Sequence, residues 1–113
     1  MKIAIIGSRN LEVSDLGKYV PEGTDETVSG GAIGIDTCAH NFAKKEGLKL
    51  TEFFPNYKKY GRTAPLKRND LITEYADIVI AFWDGKSKGT KYVIETCRKK
   101  NKKILIYTPK NNH

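Results

Sequence analysis

Two turns near the start of the chain carry groups that could bind a phosphate. In the first, Gly7-Ser8-Arg9, the serine hydroxyl and the guanidinium could both reach an anion. Arginine suits phosphate because its planar fork donates two hydrogen bonds at once. The second turn runs from Ser29 to Asp36 and contains Gly30, Gly31 and Gly34. Glycines let the backbone approach a phosphate closely, and the unpaired N–H groups at a helix start point toward it.

Each of the two turns can also be explained by a structural role that involves no ligand. Arg9 could be an exposed loop arginine, and the second turn could simply be tight. The second turn matches neither the dinucleotide-binding pattern nor the P-loop pattern, since no Lys-Ser or Lys-Thr follows at the required place. Asp36 is expected either to cap the first helical turn or to meet a ligand hydroxyl, such as that of a ribose. His40, four residues later, is expected at the surface or hydrogen-bonded to Asp36.

Two further segments add anion-binding groups. Arg68 and Asn69 stand near the start of a predicted helix, behind a loop predicted over Pro55–Pro65. A third glycine-containing turn follows an apolar run and leads toward the last predicted helix. Its candidate ligand-binding residues are Asp84, Gly85, Ser87, Gly89 and Thr90.

Apolar patterning predicts which elements position these turns. Short apolar runs predict strands at Ile3–Ile6, Glu26–Val28, Leu48–Phe54, Asp77–Trp83 and Lys103–Tyr107. Spacing of three and four residues predicts helices from Ile35 to a stop at Gly47, over Leu66–Ala76 with Leu71, Ile72 and Tyr75 turned inward, and over Lys91–Asn101. A weaker helical pattern covers Leu11–Val20.

The alternation of strands and helices predicts the fold class. Parallel pairing through right-handed crossovers gives a three-layer α/β/α Rossmann-like sandwich with a mainly parallel sheet of about five strands. Ligands of such sheets bind beyond the carboxyl ends of the strands, where the strand order reverses. The glycine-containing turns are expected along that edge. One domain is predicted over residues 1–107, followed by a frayed tail over 108–113.

Charge and composition limit the function classes. The 113 residues are 39% apolar and carry a formal net charge of +7, which favours anionic partners. Single-stranded nucleic acid is therefore a candidate partner, and Tyr57-Lys58-Lys59-Tyr60 interleaves aromatic and basic residues as such a site would. The basic cluster Arg98–Lys103 is interpreted as a solvated helix end.

The sequence also predicts several absences. No run approaches the roughly 20 apolar residues of a membrane span, and the segment Met1–Gly7 is too short for a signal peptide, so we expect a cytoplasmic protein without a membrane partner. Cys38 and Cys97 are expected to be free thiols on apolar helix faces. Their spacing suggests no metal site, and no cofactor is predicted.

The four motifs together resemble a known superfamily. Gly7-Ser8-Arg9, Ser29 through Asp36, Gly61 through Asn69 and Asp84 through Thr90 occur in the order and context of the SLOG superfamily, most closely its small YspA-like branch. The resemblance covers about residues 1–107. It implies a nucleotide or nucleotide-derived ligand, bound by a sensor or a small nucleotide-processing protein, and a homodimer, because such domains often pair.

Two other resemblances imply other functions. Val28-Ser29-Gly30, Gly34-Ile35-Asp36, Ala39-His40 and Arg68-Asn69 are similar to stretches in the Rossmann domain of the DprA family of DNA-processing proteins, which binds single-stranded DNA and a recombinase. Related phosphoribohydrolases and deoxyribosyltransferases carry a catalytic glutamate three residues after a Gly-Thr pair. Here Val93 stands at that offset from Thr90, so N-glycosidic hydrolysis is the third-ranked function, and the chain is expected to be a binding protein with no assigned catalytic residue.

Phosphate contacts alone would not give useful affinity. A helix terminus offers an anion about 0.3 to 2 kcal/mol, whereas micromolar binding needs about 8 kcal/mol. Base stacking would have to supply part of the remainder. Tyr57, Tyr60 and Trp83 are the aromatic candidates, although Trp83 at a strand end could instead pack in the core or at a sheet edge.

Overall fold

The computed structural model describes residues 1–31 and 34–109. Five parallel strands form one sheet in the order β3-β2-β1-β4-β5. The strands are β1 (Lys2–Gly7), β2 (Glu26–Ser29), β3 (Lys49–Glu52), β4 (Ile78–Phe82) and β5 (Ile104–Tyr107). The described residues also form four α-helices: α1 (Ile35–Glu46), α2 (Tyr57–Tyr60), α3 (Ala64–Tyr75) and α4 (Lys88–Lys99). The predicted Rossmann-like α/β fold with a five-stranded sheet is therefore confirmed.

The two central strands explain why this sheet forms. In β1 and β4, apolar residues are buried on both faces, as parallel strands covered by helices require. Ile3 and Ile5 contribute to the core beneath α1, whereas Ala4 and Ile6 contribute to the core beneath α3 and α4. Since successive side chains point to opposite faces, one apolar run supplies both cores.

Helix α1 has the boundaries that the sequence predicts. It begins at Ile35 and ends at Gly47, whose φ of 67° is left-handed. That conformation favours glycine at a helix end, because a Cβ atom strains it. Ile35, Ala39 and Ala43 form the buried face of α1.

The helix predicted over Leu11–Val20 is wrong. Leu11, Val13 and Leu16 are buried as the apolar pattern suggests, but the segment forms only one 3-10 turn at Leu16–Lys18. Its apolar residues lie two and three positions apart, which is not the continuous three-and-four spacing of a helical face. The chain uses them to cover the sheet without forming an α-helix.

The loop predicted over Pro55–Pro65 is also wrong, because that segment is largely helical. The side chain of Asn56 accepts a hydrogen bond from the backbone N–H of Lys59 at 3.2 Å and thereby caps the short helix α2. A 3-10 turn at Gly61–Thr63 follows, and α3 begins at Ala64 with Pro65 in its first turn. Proline is well tolerated there, since its missing N–H would have no partner in the helix.

The two remaining helices differ from prediction in smaller ways. In α3, Ile72 is buried and Tyr75 half-buried, but Leu71 is 49% exposed, because it lies about a quarter turn away from the buried face. Helix α4 begins three residues earlier than predicted, at Lys88, since Ser87 is its N-cap. Gly89 and Thr90 therefore lie within the first helical turn.

Gly7 joins β1 to the helical layer, and its replacement should destabilise the fold. A Cβ atom on Gly7 would lie 2.4 Å from Cγ1 of Ile35 and 2.8 Å from the carbonyl oxygen of Phe82. Overpacking of this kind costs about 1 to 3 kcal/mol. We expect Gly7→Ala to lower the free energy of unfolding by that amount in urea denaturation. Gly17→Ala is a suitable control, because its nearest neighbour would lie at an ordinary 3.7 Å; equal losses in the two variants would contradict the close approach at Gly7.

Other sequence predictions concern the chain end, the cysteines and membranes. Thr108 and Pro109 have no regular secondary structure, and the rest of the predicted tail lies outside the described residues. Cys97 is buried and Cys38 half-buried, and neither forms a disulfide within residues 1–31 and 34–109. No helix in these residues is long and apolar enough to span a membrane.

Candidate functional site

The strand order reverses direction between β1 and β4. The chain progresses outward from β1 through β2 to β3, then returns to place β4 on the other side of β1. The helix crossovers therefore diverge at this point and leave a crevice beyond the carboxyl ends of the two strands. A cleft of about 460 Å³ lies there, within the range of roughly 300 to 1,000 Å³ that is usual for small-molecule sites.

Most of the predicted site residues line this cleft. Those in its wall are Gly7, Ser8, Arg9, Gly30, Asp36, Arg68, Asn69, Asp84, Ser87, Gly89 and Thr90. Four predicted residues do not line it: Ser29, Gly31, Gly34 and Gly85. Several other residues of the cleft wall are not predicted from the sequence, among them Asn10, Pro65, Leu66 and Val93. Asn10 directly follows Gly7-Ser8-Arg9, which is the one signal that could have identified it.

Arg68 is held in place by two hydrogen bonds. Its Nη1 donates to the carbonyl oxygen of Gly30 at 2.8 Å, and its Nε donates to Oδ1 of Asn69 at 2.8 Å. These bonds connect α3 to the turn that follows β2 and orient the planar guanidinium. A Cβ atom on Gly30 would lie 2.4 Å from Nη1, so glycine makes this approach possible. Arg68 still has donors beyond the two used in these bonds.

The charges around Arg68 are a second arginine and one carboxylate. Burial lowers the pKa of the Arg68 guanidinium, the carboxylate of Asp36 acts to raise it, and the positive charge of Arg9 lowers it. The two guanidinium groups are therefore close enough to repel each other. An anion between them would remove that repulsion.

Asp84 organises the turn between β4 and α4. Its Oδ1 accepts hydrogen bonds from the backbone N–H groups of Ser87 at 2.7 Å and Lys86 at 2.8 Å, which lower the pKa of the Asp84 carboxyl. The backbone N–H of Asp84 donates to Oγ of Ser8 at 3.2 Å. The backbone of Asp84 and the side chain of Ser8 thus connect the turns after β4 and β1 in the wall of the cleft.

The first turn of α4 presents backbone N–H groups at the cleft. Oγ of Ser87 accepts from the N–H of Thr90 at 3.4 Å and caps the helix. Within residues 1–31 and 34–109, the N–H groups of Lys88 and Gly89 have no hydrogen-bond partner, as expected at a helix start. A Cβ atom on Gly89 would meet no heavy atom within 4 Å, so packing does not require glycine there.

The predicted residues outside the cleft wall have packing or turn roles. The backbone of Gly31 lies against the ring of Phe54, and Gly34 lies against the backbone of Arg9. Gly85, with a φ of 83°, allows the turn that begins at Asp84. Ser29 is fully buried at the end of β2, and its Oγ has no hydrogen-bond partner in the described part of the chain.

Two residues of α4 bear on the glutamate that the sequence lacks after Gly89-Thr90. Val93, where related hydrolases would carry a glutamate, is buried and lines the cleft. Glu95 forms a 3.8 Å ion pair with Lys91 and is not among the lining residues. In the described residues, no group of three His, Cys, Asp or Glu side chains could hold a metal ion.

Two other sequence interpretations concern residues away from the cleft wall. Nδ1 of His40, on α1, lies 3.8 Å from a carboxylate oxygen of Glu52, on β3. His40 therefore has an acidic neighbour outside its own helix. The basic cluster Arg98–Lys103 lies at the end of α4 and the start of β5, which is the amino edge of the sheet. It is therefore on the opposite side of the molecule from the cleft.

Comparison with known proteins finds a similar fold among the solved structures. No family model matches the chain, and no curated protein sequence matches it. Among solved structures, DNA processing protein A from Helicobacter pylori superposes on the whole chain with a TM-score of 0.72 at 23% sequence identity. The two proteins share a fold. This chain covers 67% of that DNA processing protein A chain, whose structure was determined to explain its binding of single-stranded DNA. The resemblance to the SLOG superfamily remains a prediction from the motifs.

Proposed function

We propose that this protein binds a nucleotide or nucleotide-derived ligand in the cleft between the ends of β1 and β4. The observation that carries the proposal is the convergence of two guanidinium groups and a helix start on one cleft. Arg68 on α3 and Arg9 in the turn after β1 line it, and so does the first turn of α4. These groups complement a phosphate in charge and in hydrogen-bond donors.

Asp36 is the proposed sugar contact. It lines the same cleft, and its carboxylate is close enough to Arg68 to act on the pKa of the guanidinium. A carboxylate accepts hydrogen bonds from hydroxyl groups, whereas it repels a phosphate. A ligand that joins a phosphate to a hydroxylated sugar would satisfy both the arginines and the aspartate.

The cleft favours binding of the ligand over cleavage of its N-glycosidic bond. The apolar Val93 side chain cannot act as a nucleophile or as a general acid or base. Incubation with the common nucleoside monophosphates should release no free base. Base release that persisted in the purified protein would show that another group catalyses the cleavage.

Calorimetric titration tests the proposed function. The panel comprises mono-, di- and cyclic nucleotides, dinucleotides and ADP-ribose. We expect one or more of these to bind at a single site per chain. Trp83, the single tryptophan, provides a second signal because its Nε1 donates to the carbonyl oxygen of the N-cap residue Ser87 at 3.0 Å. No heat and no fluorescence change with any member of the panel would contradict the proposal.

Gly89→Ala separates ligand binding from folding. A methyl group there enters open space at the cleft and alanine is the better helix former, so we expect the free energy of unfolding to stay the same or to rise by up to about 1 kcal/mol. The methyl group would keep a phosphate from the helix start, and affinity should fall about 5-fold or more, since helix-end contacts contribute up to about 2 kcal/mol. Lys91→Ala, which alters an ion-paired residue outside the cleft wall, is the control. Unchanged nucleotide affinity in Gly89→Ala would remove the α4 start from the site.

Single-stranded DNA binding is the second candidate function. The structural similarity to DNA processing protein A favours it, as does the formal charge of +7. Titration of a labelled oligo(dT) at several salt concentrations tests it, because neutralised phosphates release counterions and the affinity must fall steeply with salt. Salt-sensitive oligo(dT) binding without any binding of free nucleotides would make this the primary function. No binding at low salt would eliminate it.

A further inference from the structure

Two aromatic rings are unusually exposed beside the cleft. Phe54 is 65% exposed and Tyr57 is 59% exposed, more than any other large hydrophobic side chain in residues 1–31 and 34–109. Both follow β3, at the carboxyl edge of the sheet, and Tyr57 is the first residue of α2. Exposed apolar surface lacks the stabilisation that burial gives. Two exposed rings at the carboxyl edge of the sheet therefore indicate a binding surface.

The positions of the rings connect them to Arg68. A Cβ atom on Gly31 would lie 2.2 Å from Cε1 of Phe54, so this ring lies directly on the Gly31 backbone. The adjacent residue, Gly30, accepts the hydrogen bond from the Arg68 guanidinium. The Tyr57 phenol, which would raise the pKa of Arg68 if it carried a negative charge, lies near the same guanidinium. Phe54 and Tyr57 therefore flank the side of the cleft that Arg68 occupies.

Two of the aromatic residues that the sequence suggested for stacking are already engaged. The ring of Tyr60 has the ammonium groups of Lys59 and Lys67 at 5.2 and 6.0 Å from its centroid. Trp83 packs against the buried core and donates its indole N–H to Ser87. Tyr57 is the one of the three candidates whose ring is largely exposed, and Phe54 is an exposed ring that the sequence does not single out.

We propose that Phe54 and Tyr57 form a nucleobase-stacking surface next to the phosphate site, so that the ligand must carry an aromatic base. This inference rests on the proposed function and narrows its ligand class from nucleotides and nucleotide-derived molecules in general to those whose base can stack on these two rings. The base could belong to a free nucleotide or to one unit of a single strand, since both present the same aromatic face. Stacking on protein rings tolerates all four bases, so broad base preference is expected.

Matched ligands with and without a base test the stacking surface. The probes are AMP, GMP, CMP and UMP compared with ribose 5-phosphate, and oligo(dT) compared with an abasic oligomer of equal length. Wild-type protein should bind at least one base-bearing probe about 5- to 100-fold more tightly than its base-free counterpart. The combined variant Phe54→Leu with Tyr57→Leu should lose that preference and keep its affinity for the base-free probe.

Two further variants keep the test interpretable. Phe54→Trp retains an aromatic face and should preserve the preference, whereas Leu71→Ala alters an exposed apolar residue that does not line the cleft and should change nothing. Thermal melting without ligand shows whether each variant folds. Preference for mononucleotides identifies a free nucleotide as the ligand, and preference for oligo(dT) alone identifies a strand.

The outcomes distinguish this inference from the proposed function. Equal binding of base-bearing and base-free probes, unchanged in the leucine variant, overturns the stacking surface and leaves the phosphate site intact. A preference that survives in the leucine variant also overturns it, because the base must then contact other groups. Failure of every probe to bind overturns the proposed function and, with it, this inference.

Discussion

Replacement of Arg68 by methionine should weaken nucleotide binding about 10- to 100-fold while the protein remains folded. Hydrogen bonds to charged groups contribute about 1.5 to 3 kcal/mol each, and every 1.4 kcal/mol is a tenfold change in affinity. Methionine keeps much of the length and apolar volume of the arginine stem but supplies no donor and no charge. Calorimetry with the nucleotide that binds wild-type protein most tightly measures the effect.

Matched controls are needed because Arg68 also has structural contacts. Its bonds to the Gly30 carbonyl and to Asn69 hold α3 against the turn after β2. Asn69→Ala removes one of these bonds without removing the charge, and thermal melting reports the stability of both variants. Arg68→Lys keeps the charge but cannot reproduce the planar fork, so an intermediate affinity is expected. Wild-type affinity in a folded Arg68→Met protein would exclude Arg68 from the site.

Replacement of Gly34 by alanine should cause the largest loss of stability, about 2 to 6 kcal/mol. The backbone there has a φ of 75° and a ψ of −122°, a region that only glycine readily adopts and that costs other residues about 1 to 3 kcal/mol. A Cβ atom would also lie 2.6 Å from the carbonyl oxygen of Arg9, which is backbone and cannot rotate away. Overpacking adds about 1 to 3 kcal/mol. Since whole domains have roughly 5 to 15 kcal/mol of stability, this variant could approach complete unfolding.

Gly47→Ala is the matched control for Gly34→Ala. Gly47 also has a positive φ, 67°, but a Cβ atom there would meet nothing within 4 Å. Gly47→Ala should lower the free energy of unfolding only by the cost of left-handed strain, about 1 kcal/mol. Urea denaturation of both variants separates strain from the contact with Arg9. Equal losses at the two positions would show that the first turn does not lie against the start of α1.

The apolar pattern predicts the sheet and the edge of the sheet at which the cleft lies. The buried runs around Ile5 and Ile80 are typical of central strands in a parallel sheet. Their alternation with helices predicts the edge of the sheet at which the glycine-containing turns emerge. Residue types and order therefore predict that Arg9, Arg68 and the turn before α4 lie at one edge of the sheet, and the structure places them around one cleft. Gly47 likewise predicted the end of α1 correctly.

The roles of individual glycines could not be predicted, because they depend on contacts between distant segments. Gly7 packs against Ile35, Gly31 against Phe54, and Gly34 against Arg9, whereas Gly89 faces open space. Nothing in the local sequence distinguishes a glycine required for packing from one that leaves room for a ligand. The helix α2 was missed for a related reason: its cap, Asn56, stands in a polar segment without an apolar face.

An NMR titration of backbone amides tests the central proposal most directly, because it reports where a ligand binds. The labelled protein would be titrated with AMP, GMP, CMP, UMP and ADP-ribose in turn. We predict that the largest shifts occur at Ser8–Asn10, Gly30 and Lys88–Thr90, the amides around the cleft. Shifts confined to Arg98–Lys103, at the opposite edge of the sheet, or no shifts with any of the five compounds, would contradict a nucleotide site in this cleft.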